Sequence, residues 1–502
     1  MTFSVLPSRK TQPPAGSALP GPRSPTGPPS PSVPAAADPS GSADRSLLRE
    51  RRFLRFWLSQ TISMVGSQVG YLAIPLVAVL ILGAGAFQTG ALTASSRLPF
   101  LVFGLLVGVL ADRYRRRPML IWTYLVRALA LLWIPVAAAL DILSMAQLYV
   151  VAFVIGSLTL LSDIAAQSLL PSLAPERRII DANSNLEVSR SSTDLIGPSI
   201  AGGLIQAVTA PFALLLDVVT YLVATVLLIV TPIREELPAR DKAQPSMLAD
   251  IREGLGFVLR HHLLRWNALT SAFSNLFTNM LLAVLLLYAV RGLNLNPGTI
   301  GVVFAIGSVG ALAGAASGQR LATRFGMGPT LIVSNSVIGC GALLLALATG
   351  PQPVRLIWTT VAYTVFCFGY PACNVAVISL RQLLAPGHLL GRTNATMRFL
   401  TWGTMPLGAF AGGVSGTWLG LRSTMIVAGA GLLLPPVLLL ISPLRRVRDS
   451  TSVEALPKAR PLPAHRASRG PIQEPVRAAD RYRNRAPRSH RRTVFYAPHS
   501  QS

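Results

Sequence analysis

Three charged residues stand in the first part of an apolar segment at roughly 181–208, which is long enough to cross a bilayer as a helix. Glu187, Arg190 and Asp194 are spaced i, i+3 and i+7, so they follow one stripe of that helix. Charges inside a bilayer are costly and should face a bundle interior or a water-filled cavity. Two interpretations stay open: a proton-coupling site, where a partly desolvated carboxylate takes up and releases a proton, and a structural network of mutually neutralising charges.

The distribution of acidic residues limits where a proton-carrying carboxylate can lie. Asp163 falls inside an earlier apolar segment. Asp217 lies near the start of its segment at roughly 211–232, close to the outer end of the helix, which favours a structural role. No Asp or Glu occurs between Glu253 and Asp449. Any membrane carboxylate that carries protons must therefore belong to the first half of the chain.

Arginines inside apolar segments need partners for the same reason. Arg97 and Arg127 lie near the middle of their segments, and Asp163 and Asp194 are the candidate partners. The candidate proton-coupling and intramembrane charges are Asp163, Glu187, Arg190, Asp194, Arg97, Arg127 and Arg398.

The elements that position these charges are apolar helices. Of 502 residues, 51% are hydrophobic and 13% charged, with a mean hydropathy of +0.50 and a formal net charge of +25. This composition excludes an ordinary soluble enzyme, and three cysteines in apolar segments exclude a disulfide scaffold. Runs long enough to cross a bilayer, numbered here as spans 1 to 12, lie at roughly 54–82, 87–110, 118–140, 145–168, 181–208, 211–232, 264–290, 297–319, 329–349, 354–379, 393–419 and 422–442.

Composition also predicts the domain boundaries and the orientation. We expect a disordered Pro/Ser/Ala-rich tail at 1–48, six-helix bundles at 49–232 and 264–442 joined by a cytoplasmic linker at 233–263, and a basic disordered tail at 443–502. Most Lys and Arg residues of the core fall in the connections that follow an even-numbered span, namely 2–3, 4–5, 6–7, 8–9 and 10–11. The positive-inside rule therefore places those connections and both termini in the cytoplasm.

The two halves match each other at a single offset of 211 residues. The stretch 110–114 aligns with 321–325, and the same offset pairs Gly90 with Gly301 and Gly202 with Gly413; it also pairs Gly197 with Gly408 and Asn183 with Asn394. Two six-helix repeats of this kind are a transporter architecture.

The loop between spans 2 and 3, from Gly108 to Arg117, resembles the signature loop of the major facilitator superfamily. Arg97-Leu98-Pro99, the Leu216-Asp217 pair with Tyr221, and the segment 394–408 are similar to the branch of macrolide-efflux proteins and the enterobactin exporter. The resemblance implies an all-α membrane protein with twelve transmembrane helices in two six-helix pseudo-repeats, the major facilitator fold. It also implies that Asp112 latches onto span 11 in the outward-facing state, although the arginines could serve only to set topology. The latch residues are Gly108, Asp112, Arg113, Arg116 and Arg117.

Span 5 carries a second feature, which resembles the antiporter motif of drug exporters: Gly197, Pro198, Gly202 and Gly203. Ala201 stands where that pattern usually has a glycine. Plain helix packing explains the same small residues nearly as well.

By analogy with the superfamily, substrate contacts come from spans 1, 4, 7 and 10. Amides and phenols separated by apolar residues suit a bulky amphipathic solute better than a sugar or phosphate. The candidate cavity residues are Gln60, Gln68, Tyr71, Gln167, Asn275, Asn279, Tyr363, Tyr370 and Asn374.

The sequence therefore predicts a monomeric, multi-pass transporter of the cell membrane that is not an enzyme. It would export a drug-like or secondary-metabolite small molecule by proton antiport. No phosphate-binding loop or metal-ligand spacing is found, so the expected energy source is the proton gradient, without a cofactor or metal. The bilayer is the expected partner, the basic tail could contact anionic lipids, and nucleic acid is not expected. Nutrient uptake and a non-transporting scaffold or receptor remain alternatives.

Overall fold

A computed structural model describes residues 47, 50–104, 115–173, 178–232, 235, 255–384 and 390–447, and the regular structure in these ranges is helical. Most of the two predicted tails, most of the predicted linker, and Gly108, Asp112 and Arg113 of the predicted latch lie outside the described residues. The helices of the first half are α1 (Arg51–Leu80), α2 (Ala86–Phe103), α3 (Arg116–Ala139), α4 (Met145–Leu169), α5 (Ile179–Val208) and α6 (Ala210–Ile229). Those of the second half are α7 (His262–Leu287), α8 (Pro297–Phe325), α9 (Met327–Ala346), α10 (Gln352–Leu384), α11 (Leu390–Trp402), α12 (Thr404–Trp418), α13 (Leu421–Leu432) and α14 (Leu434–Ile441).

The predicted all-α membrane fold is confirmed, with spans 1 to 10 forming α1 to α10. Span 11 is divided into α11 and α12, and span 12 into α13 and α14. Pro406 cannot donate a backbone hydrogen bond to the carbonyl of Trp402, and Pro436 cannot donate one to Leu432. Each broken helix ends at the residue whose carbonyl loses its partner.

Nine helices of the described ranges are long and apolar enough to cross a membrane. The three predicted spans outside this set are 2, 5 and 11, each for a local reason. The structure describes α2 as a helix only as far as Phe103, α5 contains four charged residues, and span 11 is divided.

Several helices begin at a side chain that accepts a backbone hydrogen bond. Asn296 Oδ1 accepts from the Thr299 N–H at 2.8 Å before α8, and His261 Nδ1 accepts from the Leu264 N–H at 3.3 Å before α7. Burial lowers the pKa of His261, which favours the neutral ring that this acceptor role requires.

Two arginines show which helix termini share one end of the bundle. Arg55, near the start of α1, donates to the Val230 carbonyl at 2.8 Å, and Arg117, at the start of α3, donates to the Ile229 carbonyl at 2.6 Å. The starts of α1 and α3 therefore lie beside the end of α6. We call this the basic end of the bundle, and the other the opposite end.

The residues after α14 also pack against the bundle. Pro443–Arg446 form a 3₁₀ turn, Leu444 and Val447 are fully buried, and the Gly328 N–H donates to the Val447 carbonyl at 2.8 Å. The packed part of the chain thus runs a few residues past the predicted boundary at 442.

Candidate transport cavity

Two crossings of small residues join the halves near the opposite end. Gly90 of α2 lies against Gly413 of α12, and Gly202 of α5 lies against Gly301 of α8. A Cβ atom added at any of these four glycines would overlap the backbone of the facing helix. The halves therefore make backbone contact there, which only glycine permits at such short range.

Hydrogen bonds between the halves reinforce this closure. The Arg291 guanidinium donates to the Gly83 carbonyl at 2.8 Å, and the Gly298 N–H donates to Gln206 Oε1 at 3.3 Å. The opposite end of the bundle is therefore closed.

A cavity of about 600 Å³ lies between the halves on the basic side of these contacts. This volume falls within the range of small-molecule sites, roughly 300–1,000 Å³. Its charged lining comes from α4, α5, α10 and α11, at Asp163, Glu187, Arg190, Arg381 and Arg398. None of these five residues forms an ion pair within 4 Å with another described residue, so a network of direct ion pairs does not account for them.

Eight predicted residues line this cavity, and three line another. Those in the large cavity are Asp163, Gln167, Glu187, Arg190, Asn275, Tyr370, Asn374 and Arg398. A smaller cavity of about 120 Å³ nearer the opposite end is lined by Tyr71, Arg97 and Asn279. The remaining candidates among the charged and cavity residues lie outside both cavities and are Gln60, Gln68, Arg127, Asp194 and Tyr363.

Asp194 has different surroundings from the other two charges of its stripe. Gln68 of α1 donates a hydrogen bond to Asp194 Oδ1 at 2.5 Å, and Ser308 of α8 donates to the Asp194 backbone carbonyl at 2.7 Å. Asp194 thus lies where α5 meets both α1 and the second half, whereas Glu187 and Arg190 line the large cavity.

The predicted antiporter motif of α5 contains glycines in different environments. A Cβ atom on Gly197 would overlap the side chain of Gln68, and one on Gly202 would overlap Gly301. A Cβ atom on Gly203 would meet nothing within 4 Å. Pro198 lies inside the helix, and its backbone carbonyl faces Gly301.

Arg127 belongs to a buried polar cluster of α1, α3 and α6. Its guanidinium lies over the Tyr221 ring at 4.4 Å, and Tyr221 shares a hydrogen bond with Ser67 at 2.7 Å. The Tyr124 hydroxyl donates to Gln60 Oε1 at 2.8 Å in the same cluster. Asp163 and Asp194, the predicted carboxylate partners of Arg127, do not lie within ion-pair distance of it. The ring of Tyr221 interacts with the guanidinium instead.

Asp217 is a buried carboxylate in this part of the first half. It is 2% exposed, and its Oδ1 atom has no hydrogen-bond partner among the described residues. Cβ atoms on Gly66 and Gly70 of α1 would overlap its carboxylate, so the two glycines provide the space that it occupies. Arg127 is the cation near enough to act on Asp217 electrostatically.

Arg381 is a cavity residue that sequence reasoning missed, because it was assigned to the connection after span 10. Helix α10 continues to Leu384, so Arg381 lies within the helix. Tyr370, Asn374 and Arg381 are spaced i, i+4 and i+11, which places them on one helical face. This spacing in the sequence could have identified Arg381 as a cavity residue.

The described latch residues, Arg116 and Arg117, contact their own half. Their backbone N–H groups donate to the Glu235 carboxylate at 2.6 and 2.7 Å, and Arg117 Nε donates to the Leu228 carbonyl at 3.0 Å. Glu235 therefore caps the positive end of α3, and Arg117 the negative end of α6. Both contacts stabilise the basic end of the first half.

Known proteins with the same organisation are transporters. The chain is 26% identical to the multidrug efflux pump Tap of Mycolicibacterium fortuitum, over 77% of this chain and 94% of Tap. It is 24% identical to the enterobactin exporter EntS of Salmonella choleraesuis (strain SC-B67), over 80% of this chain and 95% of EntS. The crystal structure of a bacterial homologue of the iron transporter ferroportin in an inward-facing state superposes with a TM-score of 0.62 at 18% identity, covering 79% of this chain and 99% of that one.

The fold, the cavity between the repeats and the sequence relatives agree, which confirms the resemblance found in the signature loop. The profile of the transmembrane secretion effectors matches residues 43–475. The chain therefore belongs to the transmembrane secretion effector family of major facilitator transporters, in its efflux branch.

Proposed function

We propose that this transporter exports a bulky, amphipathic small molecule from the cytoplasm across the cell membrane in exchange for protons. The observation that carries the proposal is the cavity between the halves, into which Asp163 and Glu187 project exposed carboxylates opposite Arg398. The efflux pump and the exporter among the relatives support the direction of transport. The positive-inside rule supports placing the basic end and both termini in the cytoplasm.

Proton binding would act on the charge balance between the halves. Protonation of Asp163 or Glu187 removes a negative charge that attracts Arg398 across the cavity, which changes the relative energies of the open and closed states. Asp194 lies at the crossing of α5 and α8, where Ser308 binds its backbone carbonyl. The Asp194 carboxylate accepts a hydrogen bond from Gln68 of α1, so its protonation would weaken the contact between α1 and α5 and would leave the Ser308 bond in place.

The proton gradient drives transport, without a cofactor and without covalent chemistry, and the chain works as a monomer. The basic C-terminal tail contacts anionic lipids of the inner leaflet, at about 1 kcal/mol for each basic residue near the surface.

Everted membrane vesicles test the direction and the energy source together. Vesicles from cells that express the protein are acidified inside and given a panel of labelled macrolides, acidic dyes and cationic dyes. An exporter loads at least one of these compounds into the vesicles, and an uncoupler abolishes the loading. An importer does not load under these conditions, and loading that survives the uncoupler refutes proton antiport.

Single substitutions test the carboxylates. We expect at least one of Asp163→Asn, Glu187→Gln and Asp194→Asn to flatten the pH dependence of transport. Asp141→Asn is the matched control, because Asp141 is an exposed carboxylate between α3 and α4 at the opposite end. If all three variants keep the wild-type pH profile, coupling through these carboxylates is wrong.

A further inference from the structure

The second half contributes unbalanced positive charge to the cavity. Arg381 of α10 and Arg398 of α11 both line it, and the chain has no Asp or Glu between Glu253 and Asp449. No carboxylate of their own half can therefore neutralise these two arginines. With Arg190, the lining contains three arginines and two carboxylates, Asp163 and Glu187.

The two arginines are available to a ligand. Arg381 Nε is buried without a hydrogen-bond partner among the described residues, although Arg381 lies on the cavity wall. Arg398 is exposed, and its guanidinium lies over the ring of Trp402 at 5.2 Å, a contact that orients the group without using its hydrogen-bond donors. Neither forms an ion pair within 4 Å with a described carboxylate.

Like charges that face one cavity repel each other, and the repulsion is greater where protein excludes water. Arg381 and Arg398 are near enough to interact electrostatically. A ligand with an acidic group relieves this repulsion and satisfies the free donors, because the planar guanidinium matches the geometry of a carboxylate, sulfonate or phosphate. The apolar lining beside them, at Ile338, Val377 and Trp402, suits an apolar body attached to that group.

We propose that Arg381 and Arg398 bind an acidic group on the transported solute, so that the substrate of this transporter is an amphipathic anion. This inference rests on the proposed export function and adds the charge class of its substrate. The acidic group lies on the side of the second half, across the cavity from Asp163 and Glu187. The apolar part of the solute lies against the walls of α9 and α10.

Equilibrium binding tests the inference without a proton gradient. The full-length protein is placed in phosphatidylcholine nanodiscs and titrated with dansylglycine and dansylphenylalanine, each compared with its primary amide. Each pair shares one fluorophore and differs only in the acidic group. We expect both acids to bind at least tenfold more tightly than their amides. Equal affinities, or no binding of either acid, would overturn the proposal.

Substitutions place the site. Arg381→Gln and Arg398→Gln should each weaken binding of the acids by about tenfold or more and leave binding of the amides unchanged. Arg398→Lys should recover part of the affinity, because it retains the charge without the planar fork. Arg320→Gln is the matched control, since Arg320 is an exposed arginine of α8 outside the cavity lining. Unchanged affinity in both glutamine variants would refute the assignment. Unfolding temperature and elution volume verify that each variant is folded.

An anionic lipid headgroup could bind the two arginines in the same way, and a further titration distinguishes a lipid from a solute. Adding phosphatidylglycerol to the nanodiscs should leave dansylglycine binding unchanged, whereas competition by this lipid would assign the arginines to a headgroup and contradict the proposal. The binding measurement and the vesicle measurement can fail separately. If the protein exports in a proton-driven manner but does not prefer acids over amides, only the substrate class is refuted. If it prefers acids but its transport does not depend on protons, only antiport is refuted.

Discussion

Replacing Gly202 with alanine should open the opposite end of the bundle. The added Cβ atom would lie 2.7 Å from the Cα atom of Gly301 and 2.8 Å from the carbonyl oxygen of Pro297. Carbon atoms in contact are separated by about 3.5–4.0 Å, so α5 and α8 would have to move apart by about 1 Å. Gly203, the next residue, provides a matched control because its Cβ atom would meet nothing within 4 Å.

The size of the effect follows from the cost of overpacking. Forcing a methyl group into a filled contact typically costs about 1–3 kcal/mol. If the cost falls on the state in which the opposite end is closed, the ratio of closed to open molecules decreases by about 5- to 150-fold. A minor open population would then become readily detectable.

Distance measurements by electron spin resonance provide the assay. The three native cysteines are replaced with serine, and spin labels are attached to Asp141→Cys in the first half and Thr349→Cys in the second, both exposed positions. We expect Gly202→Ala to increase the long-distance population and Gly203→Ala to leave the distribution unchanged. A wild-type distribution in Gly202→Ala, or an equal shift in both variants, would refute the reasoning.

Two further predictions concern stability. Gly70→Ala should lower the unfolding temperature, since its Cβ atom would lie 2.5 Å from Asp217 Oδ2. The loss should be much smaller in an Asp217→Ala background, and equal losses in both backgrounds would contradict this packing. Burial lowers the pKa of His261, so stability from this residue is present above the ordinary histidine pKa of about 6.5 and is lost as the pH falls through the lowered folded value. The variant His261→Asn keeps a capping oxygen but does not titrate. Between about pH 8 and about pH 5, the unfolding temperature should therefore decrease less in this variant than in wild type. Parallel plots of unfolding temperature against pH for the two proteins would contradict this role of His261.

Sequence reasoning located the candidate charges but could not assign all their neighbours. The spacing of Glu187, Arg190 and Asp194 correctly describes one helix, α5. It could not show that Asp194 is bound by Gln68 and lies outside the cavity, because that contact depends on where α1 crosses α5. Arg381 was missed because the apolar run of span 10 ends near residue 379, whereas α10 continues to Leu384.

What the sequence determined by itself is local or periodic. Apolar runs of sufficient length predict helices, and the absence of acidic residues from 254–448 confines membrane carboxylates to the first half. The 211-residue offset also revealed that Gly90 is equivalent to Gly301 and Gly202 to Gly413. These features depend on residues near one another in the chain or at one fixed separation, so they are visible without coordinates.

Only the tertiary structure decided how the equivalent residues meet. Gly90 does not contact its own equivalent, Gly301, but lies on Gly413, which is the equivalent of Gly202. In the same way, Gly202 lies on Gly301. The two contacts thus repeat the internal symmetry and together close one end of the transporter. The repeat defines which residues are alike, whereas the crossing of helices from different halves determines which of them touch. That crossing depends on side-chain packing along whole helices, which no local spacing of residues records.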